Sequence, residues 1–368
     1  RKIVIIYLVL FFGLIYLYMC ERLIEGRRQI NVFNYDWKYF YTISFITALC
    51  ILCFIASFRA DIIGADHINY IYEYKNINKT GNAYFSEKGY VLLCRIISEL
   101  SQCNIAALNF SVAALTLAGF YCYIKKYVEP DYYILALIIL VFNPYMFIQS
   151  TFNIMRQGCA IGILLFSIKY LKDRKWIPFL AIVLFSSMFH KSTIFFAFLI
   201  LFRKVDFNEK KHLFIAIICI IGNLTGICNL VFELTNKLFS YGSVGVEADV
   251  SLLNNILYKS AIFIIILYLI LNYSKLFNDE NQKFFIDILI FSLSFLIFAV
   301  QNDIMYRVYI ELAFIAIPGT ATLCVNTRKN NRLIEVGIVI YYSLFFIGYI
   351  LRWYLNKDIH YYPFQFQF

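Results

Sequence analysis

The sequence predicts an all-α polytopic membrane protein of about twelve transmembrane helices, and three observations carry that prediction. Of its 368 residues 61% are hydrophobic, 19% aromatic and only 15% charged, far from the usage of a water-soluble domain. Apolar runs recur from one end to the other, most of them near the roughly 20 residues that a helix needs to cross about 30 Å of hydrocarbon. These runs are long and apolar all round, whereas a membrane barrel would show short segments of strict alternation.

Taken in order, the runs fall near residues 3–19, 39–58, 104–124, 132–149, 154–171, 176–190, 191–203, 212–234, 258–274, 284–301, 304–325 and 333–351. The first, "KIVIIYLVLFFGLIYLYM", starts on basic residues as a signal peptide does, but "CERLIEGRRQ" follows in place of a small-residue cleavage site, so a retained anchor is expected. Residues 1–368 are read as one integral membrane domain carrying three larger polar segments: 59–103, 235–257 and the tail 352–368. From Gly89 the segment 59–103 turns apolar but is interrupted by Arg95 and Glu99, the pattern of an interfacial or re-entrant helix.

Charge fixes the expected orientation. Arg22, Arg27, Arg28 and Lys38, then Lys125 and Lys126, then Lys169, Lys172, Arg174 and Lys175 crowd short connections, as do Arg203, Lys204, Lys210 and Lys211. Lys275 and Lys283, and Arg328, Lys329 and Arg332, complete the set, which holds more than half of the 33 lysines and arginines. By the positive-inside rule that side is cytoplasmic, and the three polar segments and both termini face outward. Net charge is +10, yet no basic stripe with interleaved aromatics stands apart from the membrane, so nucleic acid is not an expected partner. The ten cysteines are scattered through apolar runs as small hydrophobes, and "CILC" at Cys50 to Cys53 lies inside a span without further Cys or His partners. No Gly-rich phosphate loop accompanies the short basic connections.

Four places hold residues able to do chemistry. Arg156 and Gln157 open the run "FNIMRQGCAIGILLFSIKYL" just after Asn153. A cation at a helix amino terminus is electrostatically misplaced, and a bound anion resolves the conflict: free N–H groups, guanidinium and the Gln157 amide together make a phosphate cradle. The alternative is an interfacial arginine reaching toward lipid phosphates. His190, in the polar break "FHKST" between two short runs, reads as a proton acceptor or as a hydrogen-bond donor to phosphate in a sunken turn, or as a turn cap. In the first outer segment Asp66, Tyr70 and Tyr74 recur at helical spacing, a carboxylate beside two rings that suits a sugar or, alternatively, a membrane belt; Arg59 and Glu87 flank them. Late in the chain, "QNDIMYR" brings Gln301, Asn302, Asp303, Tyr306 and Arg307 to an outer turn, so that Arg307 repeats the geometry of Arg156. Metal binding is not expected: on the outward side only Glu247 and Asp249 have an acidic-x-acidic spacing, which a solvated loop also explains.

The stretches "FRADIIGADHINYIYEY", "SEKGYVLLCRII", "FNIMRQGCAIGILLFSIKYLKDRKWIPFLAIVLFSSMFHKSTIFF" and "MYRVYIEL" resemble, in order and spacing, the EpsG-like, Wzy-type polysaccharide polymerases. "RADIIGAD" is a stretched form of that family's usual pattern there. The resemblance implies a bacterial inner-membrane protein of GT-C-like helical architecture acting on the periplasmic face. Such proteins join oligosaccharide repeat units carried on undecaprenyl diphosphate into O-antigen, capsule or exopolysaccharide, beside a separate chain-length regulator. On that footing Arg156, Gln157, Arg307 and Arg59 are expected to hold diphosphate; Tyr70, Tyr74, Asn153 and Asp303 to contact sugar; and His190, Asp66 and Glu87 to serve the chemistry. No cofactor or metal is expected, since preorganised arginines stabilise a departing diphosphate by themselves. A flippase of the same lipid-linked unit is the rival from another class, and it would be expected to carry internal repeats and charges at mid-membrane.

Overall fold

A computed structural model describes residues 5–28, 37–80, 83–227, 229–231, 233, 252–300, 302–328, 332–358, 360–361 and 364–366. Their regular structure is helical, with one isolated bridge, between Arg59 and Phe366. The α-helices are α1 (Ile5–Arg28), α2 (Trp37–Ser57), α3 (His67–Thr80), α4 (Lys88–Ser101), α5 (Ile105–Tyr127), α6 (Tyr133–Phe142) and α7 (Met155–Lys172). They continue as α8 (Trp176–Ser187), α9 (Leu199–Lys204), α10 (Glu209–Leu224), α11 (Leu252–Leu271), α12 (Glu280–Ala299), α13 (Asp303–Thr327) and α14 (Leu333–Leu355).

Among the described residues six stretches are long and apolar enough to cross a membrane: Ile5–Ile24, Lys38–Ser57, Ile105–Tyr127, Glu280–Ala299, Met305–Thr327 and Leu333–Leu355. Large apolar side chains stay exposed along them, such as Val9, Phe12 and Tyr16 on α1 and Ile340, Leu344 and Leu351 on α14, as lipid-facing surfaces require. Several predicted runs fold as shorter pieces. Run 132–149 stops as helix at Phe142, where Asn143 and Pro144 follow and the chain then takes a π-helical turn, Gln149–Asn153. Runs 176–190 and 191–203 become α8, a 3-10 stretch Lys191–Phe198 and α9. Segment 235–251, with Glu247 and Asp249, lies outside the described residues, as does Gln301.

Local sequence sets the helix starts. Asn104 caps α5 by accepting from Ala106 N–H at 2.8 Å, Asn208 caps α10 from Lys211 N–H at 3.0 Å, and Asp279 caps α12 from Asn281 and Gln282 N–H.

The chain divides into two compact units. The first comprises Arg1–Ile168, Ile177–His190 and Leu333–Phe368. Within it α2 packs on α5, α3 on α4, and α6 against α1 and α14, the last contact cemented by the stacked rings of Phe11, Phe142 and Phe346. Backbone touches backbone where α5 meets α7: a Cβ on Gly119 would collide with Gly162, and one on Gly162 with Leu115 and Thr116. Small residues permit that approach, as they do between membrane helices generally. The tail folds back on segment 59–103. Ala60 N–H donates to the Gln365 carbonyl and Gly64 N–H to that of His360, both at 2.8 Å.

The second unit comprises Lys169–Trp176 and Lys191–Arg332. In it α12 packs along α13 and against α10 and α11, while the 3-10 stretch Lys191–Phe198 lies on α13. Gly319 lets α13 close on the Phe285 carbonyl of α12. Two polar clusters are sealed in this bundle. Asp287 of α12 accepts from Tyr273 Oη at 2.5 Å and pairs with His212 Nε2 at 2.8 Å; Glu311 of α13 accepts from Ser192 Oγ.

Candidate functional site

Arg156 occupies the second position of α7, directly after the π-helical turn. Its Nη1 donates to Glu87 Oε2 at 2.6 Å, its Nε approaches Tyr70 Oη at 3.5 Å, and its guanidinium lies over the Phe85 ring at 4.2 Å. The sequence argument that a cation at this helix start needs an anion is therefore met, but by a carboxylate of the same chain. Exposure is unequal: the Arg156 side chain is 24% accessible and that of Glu87 only 4%. Ser86 Oγ also donates to Glu87 Oε2, at 3.2 Å.

Three elements hold this pair. Glu73, buried on α3, accepts the backbone N–H groups of Tyr84 and Phe85 at 2.6 and 3.0 Å and so pins the strand of chain that carries Phe85 and Glu87. The start of α4 rests on the turn before His190, because Gly89 N–H donates to the Met188 carbonyl at 2.9 Å and a Cβ there would meet Met188 and Phe189. Beneath lies a core of Tyr74, Tyr90, Val112, Met155, Cys159 and Phe189.

An amide relay runs along the other edge. Asn153 Oδ1 accepts from Asp66 N–H at 2.6 Å, Asn153 Nδ2 donates to Gln149 Oε1 at 2.9 Å, and Gln149 Nε2 donates to Tyr361 Oη of the tail at 3.2 Å. Thus the residue before α3, the turn before α7 and the tail are tied by side-chain hydrogen bonds. Arg59 lies deeper and is fully buried. It donates to the carbonyls of Ala56, Ile63 and Phe152, with its guanidinium 5.0 Å from the Phe152 ring, and burial pulls it down to about 9 despite Tyr90, Asp61 and Tyr361 nearby. His67 is equally enclosed between Asn109 Oδ1 (2.9 Å) and the Asp61 carbonyl (3.0 Å); burial, reinforced by Arg59, pushes its imidazole down to about 3.

The predicted residues separate accordingly. Arg156, Glu87 and Tyr70 meet directly, and burial raises the Tyr70 phenol while Arg156 opposes the rise. Asn153 and Asp66 flank them through the relay. Tyr74 is a core residue bonded to Ser101 Oγ at 3.1 Å, Gln157 points into the interior, and Arg59 is an anchor among carbonyls. His190 is 5% exposed at the end of the turn against which α4 begins, its N–H on the Ser186 carbonyl at 3.2 Å. Arg307 and Asp303 belong to α13 of the second unit; Arg307 is partly buried, and the Asp303 side chain lies outside the described residues. The sequence alone does not single out Phe85 or Gln149. The sign was there for Phe85, an aromatic two residues before Glu87 in "FSEKG", but which cation it faced needed the fold.

Charges inside the membrane-spanning helices were also missed. Asp287 and Glu311 are buried carboxylates within α12 and α13, away from the short connections where the sequence concentrates its lysines and arginines. Among the described residues no group of three or more His, Cys, Asp or Glu converges as metal ligands would.

A comparison with protein families matches the EpsG family model to residues 38–366. No curated protein and no solved structure matches the chain. The match takes in segment 59–103, the Arg156 turn, the His190 turn and the tail, and by it the chain belongs to the EpsG family of Wzy-type polysaccharide polymerase-like membrane proteins.

Proposed function

We propose that the protein is a membrane glycosyltransferase of the Wzy type, joining undecaprenyl-diphosphate-linked oligosaccharide repeat units on the periplasmic face of the bacterial inner membrane. One observation carries the reading: a partly exposed arginine at a helix amino terminus, backed by an aromatic ring and already holding an anion. A diphosphate has the charge and oxygen geometry to take that place, with the helix dipole and guanidinium acting together. When the anomeric C–O bond of the donor breaks, charge builds on the departing diphosphate, and a preorganised cation favours that state over the ground state.

Arg156 holds the diphosphate; Tyr70 and Asn153 border the sugar; Asp66 serves the chemistry beside them, and buried His190 is assigned diphosphate binding or proton transfer. Arg307 is assigned to diphosphate and Asp303 to sugar in this reading, and about twelve crossings in a GT-C-like arrangement are proposed. Arg59 and Tyr74, being enclosed, support the site through packing. A separate chain-length regulator is the expected partner, and the reaction is proposed to run without metal.

The test is reconstitution. Purified protein incubated with a synthetic lipid-linked repeat unit should yield a ladder of oligomers, with EDTA present as without it. A unit that stays monomeric under both conditions overturns the reading. Buried Asp287 and Glu311 in spanning helices favour a second reading, a flippase of the same lipid, for which the unit would appear unpolymerised on the opposite leaflet of a vesicle.

A further inference from the structure

We infer that Glu87 is the resident anion of the Arg156 site, exchanged for the donor's diphosphate on binding and thereby released to accept the proton of the acceptor hydroxyl. The inference rests on the polymerase reading and deepens it. Three features of the pair point to exchange.

First, Glu87 sits at the amino-terminal cap of α4, where a carboxylate ordinarily turns back onto its own helix. Here it makes no such bond: the backbone is extended (φ −83°, ψ 96°), the side chain goes to Arg156, and Gly89 N–H is answered by Met188 instead. Helix α4 is thus held without the Glu87 carboxylate, which is free to move without unwinding it. Second, the exposed partner is the cation and the covered one the carboxylate. An incoming anion meets guanidinium first and competes for Nη1 from the open side. Third, a diphosphate carries more charge than one carboxylate and binds a guanidinium through two oxygens, so it displaces Glu87 when the donor arrives.

Displacement leaves a covered carboxylate with Ser86 Oγ as its remaining donor at Oε2. Deprived of its cation, that carboxylate has an oxygen lone pair open to an acceptor hydroxyl within hydrogen-bond reach. Donor binding therefore creates the base at the moment the acceptor needs one. The acceptor O–H gives its proton to Glu87; the electron pair left on that oxygen forms the new bond to the anomeric carbon; the bond from that carbon to the diphosphate oxygen breaks, its electron pair leaving on the diphosphate held by Arg156. Glu87 then passes its proton to the departing diphosphate or to water and returns to Nη1.

The experiment is titration of the purified full chain with inorganic pyrophosphate by calorimetry, for wild type, E87Q, E87D and R156A. Removing the resident anion should tighten pyrophosphate binding by about tenfold in E87Q, with ladder synthesis falling about 100-fold despite the better binding. Should E87Q fail to fold, E87D, whose carboxylate falls one methylene short of Nη1, must tighten binding in the same direction. Equal or weaker binding in the folded variants overturns the exchange while leaving the polymerase reading standing, provided R156A loses binding. If R156A binds pyrophosphate as wild type does, the diphosphate site itself is misplaced and both readings fail.

Discussion

The two units of the molecule each contain a carboxylate paired with a basic side chain, and they treat it oppositely. In the second, Asp287 is shared by His212 and Tyr273 under a stack of Phe207 on the His212 ring, and both members of the Asp287–His212 pair are closed off at 9% and 1% side-chain exposure. In the first, Arg156 pairs with Glu87 against Phe85 and keeps a quarter of its surface open. In the sealed cluster Asp287 Oδ1 is taken by two side chains of the same bundle. The open cluster has a cation that something outside the protein can reach, and that difference separates a scaffold from a site.

The comparison breaks most visibly at Arg156. Arg156→Ala is expected to lower ladder synthesis by about 100- to 1,000-fold, the cost of losing one preorganised donor to a developing anion, with expression and elution profile unchanged. Arg156→Lys should recover only a small part, since an ammonium lacks the planar fork. Asp287→Ala tests the opposite half. It takes the acceptor from His212 Nε2, leaves the Tyr273 hydroxyl only the Phe207 carbonyl at 3.4 Å, and should cost about 3 kcal/mol of stability, read as a lower melting temperature in detergent, while synthesis per folded molecule stays near wild type. If Asp287→Ala abolishes synthesis at full stability, the sealed cluster is part of the chemistry and the contrast is wrong.

A smaller effect sharpens the comparison inside the first unit, where His67 is as enclosed as anything in the second. Its folded imidazole titrates near 3 against an unfolded value near 6.5. The neutral form is therefore the one the fold selects: stability from this group is complete above about pH 6.5 and is lost, by about 1.4 kcal/mol per unit, as pH falls from there toward 3. Melting curves of wild type and His67→Gln between pH 7 and 5 should diverge in slope, the variant falling less. Parallel slopes would mean that the imidazole is solvated.

What could be read in the sequence follows from how local each signal is. Helical class and membrane character came from apolar runs, which depend on composition within a window. Arg156 was legible because a charge at the start of such a run conflicts with the helix dipole whatever surrounds it. The partner that resolves the conflict was not: Glu87 is 69 residues away and meets Arg156 only because Glu73 and Met188 fix the intervening chain. Tyr70 and Tyr74 show the same limit. One helical turn apart on α3, they read alike, yet one reaches the guanidinium and the other closes the core on Ser101. Breaks in runs 132–149 and 176–203 were hidden for a different reason, since aliphatic and aromatic residues continue through them and only Asn143, Pro144 and the "HKST" turn mark where the backbone changes.

The slightest expected change lies at the edge of the open cluster, where Tyr361 closes the amide relay. Its hydroxyl accepts from Gln149, Gln149 accepts from Asn153, and Asn153 accepts from the backbone of Asp66, so the tail steadies the turn from which α7 and Arg156 start. The ring itself stays put in Tyr361→Phe, because it stacks on Trp353 at 4.7 Å and the Tyr361 carbonyl still accepts from Tyr7. One neutral hydrogen bond is lost, worth about 1 kcal/mol at most, and the looser turn should raise KM for the lipid-linked unit by about two- to fivefold at constant kcat. A residue that only held the tail in place would lower melting temperature without moving KM. Gln149→Leu, which cuts the relay in its middle, should move KM further in the same direction. A fall in kcat with KM unchanged would show instead that the relay acts in the transition state, placing Asn153 and Asp66 closer to the reacting bond than their hydrogen bonds alone require.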